Sequence, residues 1–154
     1  STAGLSLAHA NNFMALEPHL VQLVRDAVQG RSPAVHVLTA AELADVKEGA
    51  QKTPAVHVIW GSYEVLEDMG NAWRLGHTWY AVVAVRNVAT PRSGQAARQE
   101  AGPLVALVVG ALAGSRPAGA TKPLAFKTPP KPRYTGGYQY IPSAFLVETI
   151  FRKP

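Results

Sequence analysis

Cysteine is absent from the 154 residues. That removes disulfides, thiolate nucleophiles and cysteine-based zinc sites together, and it is compatible with a reducing cytoplasm. Charge is sparse: 16% of residues are Asp, Glu, Lys or Arg, against about 25% in an average soluble domain. Less charge keeps less surface wet, so part of the surface is expected to lie against other subunits. Long apolar runs are missing too. The longest, 104–112, falls far short of the roughly 20 residues that a membrane-spanning helix needs. No membrane partner is expected. The start shows no basic segment ahead of an apolar one, hence no secretory signal. Its small residues, Ser-Thr-Ala-Gly, fit a chain that has lost its initiator Met.

Acid is scarce in the second half. Residues 1–77 carry 5 basic and 8 acidic side chains, net −3, and residues 78–154 carry 10 basic and 2 acidic, net +8. An acidic half and a basic half suit head-to-tail contact between copies, or one face turned to a polyanion.

Catalytic signatures are lacking as well. There is no Gly-x-Ser-x-Gly elbow and no Gly-x-x-x-x-Gly-Lys-Ser/Thr loop. The Gly-rich words near 110–122 follow a helix rather than linking strand to helix, so they make a poor phosphate cradle. His9, His19, His36, His57 and His77 have no second ligand at metal-binding spacing and read as core or interface residues. Glu64, Glu67 and Asp68 have no His or basic group near them in sequence, and read as a solvated edge rather than an acid–base pair. No enzyme activity, metal or cofactor is expected.

What is present is organised around 73–114. Its first part alternates: Trp79, Ala81, Val83 and Val85 point one way, Tyr80, Val82, Ala84 and Val88 the other. Both sets are apolar, which predicts a central strand covered on both faces. After Thr90-Pro91, Ala97, Ala101, Leu104, Val105, Val108, Ala111 and Leu112 form a helical stripe. One helix over about 93–113, bent at Pro103, is expected to cross that strand.

The remaining segments dock on this pair. Residues 1–13 read as a flexible arm, and 14–154 as one domain. Leu16, Leu20, Leu23, Val24, Ala27 and Val28 share a helix face, with Pro18 in the first turn and Gly30 as the stop. The identical words Pro-Ala-Val-His-Val at 33–37 and 54–58 predict two strands of one type, each entered through proline. A small helix is expected over 40–47. Residues 61–69 are either a strand extension or a loop, and Gly70-Asn71 is a turn signal. Residues 138–151 alternate again and predict a long C-terminal strand. The sum is an α+β domain: a mainly antiparallel sheet with two main helices packed on it.

Residues 115–137 stand apart, with five prolines, five basic residues and no acid. This long basic loop is expected to lack regular structure and to be ordered only by a partner. Arg116, Lys122, Lys127, Lys131 and Arg133, interleaved with Tyr134, Tyr138 and Tyr140, suit non-specific contact with nucleic acid.

Three words, in order, are similar to one known family: His-Thr-Trp-Tyr-Ala-Val-Val-Ala-Val-Arg-Asn at 77–87, Ala-Gly-Pro-Leu running to Ala-Leu-Ala-Gly over 101–114, and Tyr-Gln-Tyr-Ile-Pro-Ser-Ala-Phe from 138. With the first helix they span most of 14–151. The chain resembles the tail terminator proteins of long-tailed bacteriophages, the Mu-like group in particular. The resemblance implies a non-enzymatic virion protein assembled in the host cytoplasm. It implies a hexameric ring at the head-proximal end of the tail, which stops the tail tube protein from polymerising and meets the head-tail connector. DNA passes through its lumen. On that reading Glu64, Glu67, Asp68, Tyr138 and Tyr140 are expected at contacts between subunits or with the tube. Arg116, Lys122, Lys127, Lys131 and Arg133 are expected to face the channel or the tube. Another head-tail connector, a tube subunit, or a small non-specific nucleic-acid-binding protein remain the alternatives. A tube subunit polymerises by itself, and a nucleic-acid binder shows a steep salt slope.

Overall fold

The computed structural model describes residues 11–40, 51–86 and 91–154, with 91–100 described by their backbone. Helix α1 spans Glu17–Val28 and helix α2 spans Pro91–Leu112. The strands are β1 (His36–Thr39), β2 (Ala55–Asp68), β3 (Ala72–Arg86), β4 (Ala125–Lys127), β5 (Arg133–Thr135) and β6 (Tyr138–Arg152). They form one sheet in the order β1-β2-β3-β6-β4, with β5 also paired to β6. Only the β1–β2 pair is parallel; the other pairs are antiparallel. The α+β expectation holds, and β3 is central.

Both helices lie on the same face of the sheet. Leu20, Val24 and Val28 of α1, with Leu104, Val108 and Leu112 of α2, meet Val56, Val58, Trp79, Ala81, Val83, Val85, Phe145 and Val147. Alternation along each strand supplies this set, since partners across a ladder share a face. The opposite face is where expectation fails. Tyr80 and Val82 are only half-buried there, although Ala84 on the same face is fully buried, and among the described residues no helix packs against that face. The apolar runs of β3 reflect a sheet with one dry face and one partly open apolar face.

Helix α1 opens without a side-chain cap. Pro18 occupies its first turn, where a missing N–H costs nothing, and Gly30, at φ 80°, turns the chain away. Helix α2 runs through Pro103 unbroken. Its neighbour Gly102 has no Cβ to clash with the proline ring. Gly114, at φ 80°, ends it.

The twin words become β1 and the start of β2, lying side by side but slipped by two residues: His36 pairs with Ala55 and Val37 with Val56. A slip of two keeps every side chain on its own face. The small helix expected over 40–47 falls largely outside the described residues, as does Val88. Segment 61–69 resolves as strand: β2 continues to Asp68, and Met69 N bonds Ala72 O at 2.8 Å across the Gly70-Asn71 turn.

The stretch 115–137 is for the most part without regular structure, as its composition suggests, but its backbone is tied to the sheet. It holds two short strands, β4 and β5, both on β6. Gly114 N donates to Leu124 O at 2.9 Å and Leu124 N to Ser115 O at 2.7 Å, closing 115–124 on itself. Ala120 and Leu124 are buried in the core, and Thr121 N bonds Glu148 O at 2.9 Å. Two small apolar anchors and paired backbone groups order a segment whose composition reads as loop. The N-terminal stretch is described only from residue 11; Phe13 sits edge-on to Tyr63, His77 and Phe151. Among the described residues, no helix is long and apolar enough to cross a membrane.

Candidate assembly surface

The β2–β3 hairpin reaches past β1, which pairs only with the first residues of β2. Beyond that point, among the described residues, β2 has a partner on one side only. Its register slips between Trp60 and Ser62 and again between Val65 and Glu67, leaving bulges at Gly61 and Leu66. Bulges twist a strand and are common at sheet edges. The outer stretch is exposed, with Tyr63 at 48% and Val65 at 59%.

Glu64, Glu67 and Asp68 lie together on this stretch, but they are not without basic neighbours. Arg74 Nε is 3.3 Å from Glu67 Oε1, and its Nη1 is 2.6 Å from Glu148 Oε1. Lys122 Nζ approaches Glu148 Oε2 at 3.3 Å. Lys153 Nζ is 2.8 Å from Asp68 Oδ1 and 4.6 Å from the centre of the Trp73 ring. The lysine and the Gly70 amide hold the Asp68 carboxyl below its usual pKa range. These partners come from the next strand, from residue 122 and from the chain end, so sequence proximity could not show them. Glu64 makes no ion pair among the described residues.

Within the hairpin, on β3 opposite Tyr63, His77 is buried. Trp60 Nε1 donates to its Nδ1 at 3.1 Å, and its Nε2 lies 3.1 Å from Thr149 Oγ1. An indole N–H can only donate. Nδ1 is therefore bare, and the proton sits on Nε2, given to Thr149. Burial lowers the His77 pKa. This fits a core histidine and not a metal ligand. No cluster of metal-binding side chains occurs among the described residues.

Tyr138 and Tyr140 are at the other end of the sheet. Arg86 pairs with Tyr138, while Asp68 pairs with Trp73 at the far end of the same β3; at 3.3 Å per residue the two ends are roughly 40 Å apart. The acids and the tyrosines thus form two patches. The tyrosine rings lie 6.4 Å apart, and burial, followed by the neighbouring Tyr138, raises the Tyr140 pKa. Gln139 Nε2 donates to the Tyr134 hydroxyl at 3.0 Å.

The five basic residues of 115–137 are all exposed. Arg116 is tied to Ala120 O through Nε at 3.2 Å, and Lys122 to Glu148. Lys127, Lys131 and Arg133 make no ion pair among the described residues. Lys127 ends β4 and Arg133 opens β5. The sheet therefore carries acids along its β2 side and free bases along its β4–β5 side.

A sequence model described as "Phage tail terminator protein" matches residues 10–154. The chain belongs to the phage tail terminator family. Membership makes it a structural component of a phage-type tail, as the resemblance implied. No curated protein sequence matches the chain. Among solved structures, a chain described as "Virion of native gene transfer agent (GTA) particle" aligns at 18% identity with a TM-score of 0.49. The alignment covers 85% of this chain and 94% of that one. At that identity and score no functional statement follows from the likeness.

Proposed function

We propose that the chain forms a ring of six copies on the head-proximal end of a tail tube, where it ends tube polymerisation and joins the tail to the head connector. It works as a structural piece and not as an enzyme. The observation that carries this reading is the family match across nearly the whole fold. The charge layout supports it: acids on one side of the sheet and free bases on the other suit the two unlike patches that a cyclic assembly needs.

Exposed ion pairs contribute about 0–1 kcal/mol each, so they select orientation and speed encounter. Apolar contact supplies the affinity. At least two of Arg116, Lys122, Lys127, Lys131 and Arg133 face the channel or the tube, where they meet phosphates without reading bases. DNA must slide there, so a loose fit is suited to the task.

Electron microscopy of particles assembled without this protein tests the reading. Tails of excess or ragged length that fail to join heads are expected, with length restored when the protein is supplied. Tubes of normal length joined to heads would refute it. Long polymers from the purified protein alone would point instead to a tube subunit.

A further inference from the structure

The outer edge of β2 has unpaired backbone. Asn71 O accepts from Lys153 N, on the β6 side of β3, while Ala72 O accepts from Met69 N, on the β2 side. Peptide groups alternate sides along a strand. So Arg74, Gly76 and Thr78 turn toward β2, and their partners Glu67, Glu64 and Ser62 turn inward. Tyr63 and Val65 then aim their amides and carbonyls outward, and no strand lies there among the described residues. An open strand edge is a template for pairing.

The opposite rim of the sheet is β4, bonded among the described residues to β6 on one side only. Its residues 125–127 lie level with 59–62, where β2 runs on past β1 and its free part begins. Following the ladders across, Phe126 pairs with Phe145, Phe145 with Trp79, and Trp79 with Trp60. Residues that follow one ladder share a face, so Phe126 is on the helix-bearing face, as are Tyr63 and Val65. Phe126 is 55% exposed. Lys127 pairs with Ala144, opposite Tyr80, on the other face, and Glu64, opposite Gly76, shares that face. The two rims thus match on both faces: exposed apolar groups on one, lysine and glutamate on the other.

We infer that the free edge of β2 over 61–68 seats the outer edge of β4 from the next copy, so that the sheet continues from subunit to subunit. This rests on the ring reading and adds the contact that builds the ring. β4 runs antiparallel to β6, and β2 runs parallel to β6, since both are antiparallel to β3. A continued sheet therefore joins β2 and β4 antiparallel. Glu64, the acid of this edge that has no ion pair among the described residues, repels its own copy on a second β2 edge, which disfavours a two-fold dimer, and attracts Lys127 of the basic rim.

The absence of cysteine makes the contact easy to map. Within one chain, β2 and the β4 rim are three strand spacings apart, about 14 Å, beyond the roughly 7 Å limit for a disulfide. Two double variants, Tyr63→Cys with Phe126→Cys and Val65→Cys with Phe126→Cys, sample neighbouring registers. Mild oxidation of the purified protein, and of assembled particles carrying each variant, should give a ladder of covalent multimers in at least one pair. Single-cysteine controls should stop at dimers. Val65→Pro, which removes an outward amide, should lower ring occupancy at least tenfold with an unchanged circular dichroism spectrum, while Val65→Thr should assemble normally. Rings seen in micrographs with no ladder from either pair would overturn the edge contact and leave the ring standing. Absence of rings both in solution and on tails would remove the ring reading, and the edge contact with it.

Discussion

Trp60 donates its indole N–H to Nδ1 of His77, 3.1 Å away, and so fixes which ring nitrogen carries the proton. A second proton on His77 would face that N–H and abolish the bond. The site is built for neutral imidazole.

Stability should therefore depend on pH through His77. Its folded pKa is lowered by burial, so the unfolded chain binds the proton more readily. The contribution is complete above the ordinary histidine pKa of about 6.5 and is lost as pH falls from there through the folded value. Thermal unfolding from pH 8 to pH 5 should show wild type losing stability more steeply than His77→Gln. Parallel curves would refute the assignment.

The core makes a second prediction. Leu104 is 2% exposed and Phe145 0%, one on α2 and the other beneath it on β6. Leu104→Ala should cost about 2–5 kcal/mol and Phe145→Ala about 3–5 kcal/mol, read as lowered denaturant midpoints with little change in slope. Tyr80→Ala, on the half-open face, should cost less than either.

Arg74 bridges Glu67 and Glu148, and the Glu148 side chain is only 12% exposed. Losing Arg74 leaves a poorly hydrated carboxylate with Lys122 as its remaining ion-pair partner. Arg74→Ala should cost about 1–3 kcal/mol, in the range of hydrogen bonds to charged groups. Lys122→Ala, with a side chain 67% exposed, should cost below about 1 kcal/mol. Equal losses in chemical denaturation would show that Glu148 is not held by Arg74.

What the sequence made legible follows from periodicity. The alternation of β3 and β6 and the stripe of α2 are local patterns, and they gave the central strand, its hairpin and its helix. The family likeness was carried by the same ordered elements. What escaped depends on contacts between distant residues. Nothing near Glu67 in sequence names Glu148 as a neighbour, and nothing near Asp68 names Lys153; register alone joins them. Composition hid the ties of 115–137 to the sheet, because Ala120 and Leu124 anchor that stretch and neither stands out among five prolines. Apolar alternation on both sides of β3 could not distinguish a face covered by its own helices from one left half open.

Gly61 carries the last prediction, because it sits at the bulge where β2 leaves β1 behind. A Cβ there would overlap the edge of the Tyr80 ring and lie 3.2 Å from the Thr78 carbonyl oxygen. The ring can swing on the open face, but the backbone oxygen cannot move without disturbing the β2–β3 ladder. Gly61→Ala should therefore destabilise by about 1–3 kcal/mol, as overpacking does, and shift the Tyr80 ring resonances. Gly110 is the control: it lies within α2, with nothing inside 4 Å of an added Cβ. Gly110→Ala should stabilise by about 0.5–1 kcal/mol, because glycine is a poor helix residue. Both changes are read by chemical denaturation of the purified protein. If Gly61→Ala were neutral, the bulge would have room to spare, and the close approach of β2 to Tyr80 would not be what shapes that edge.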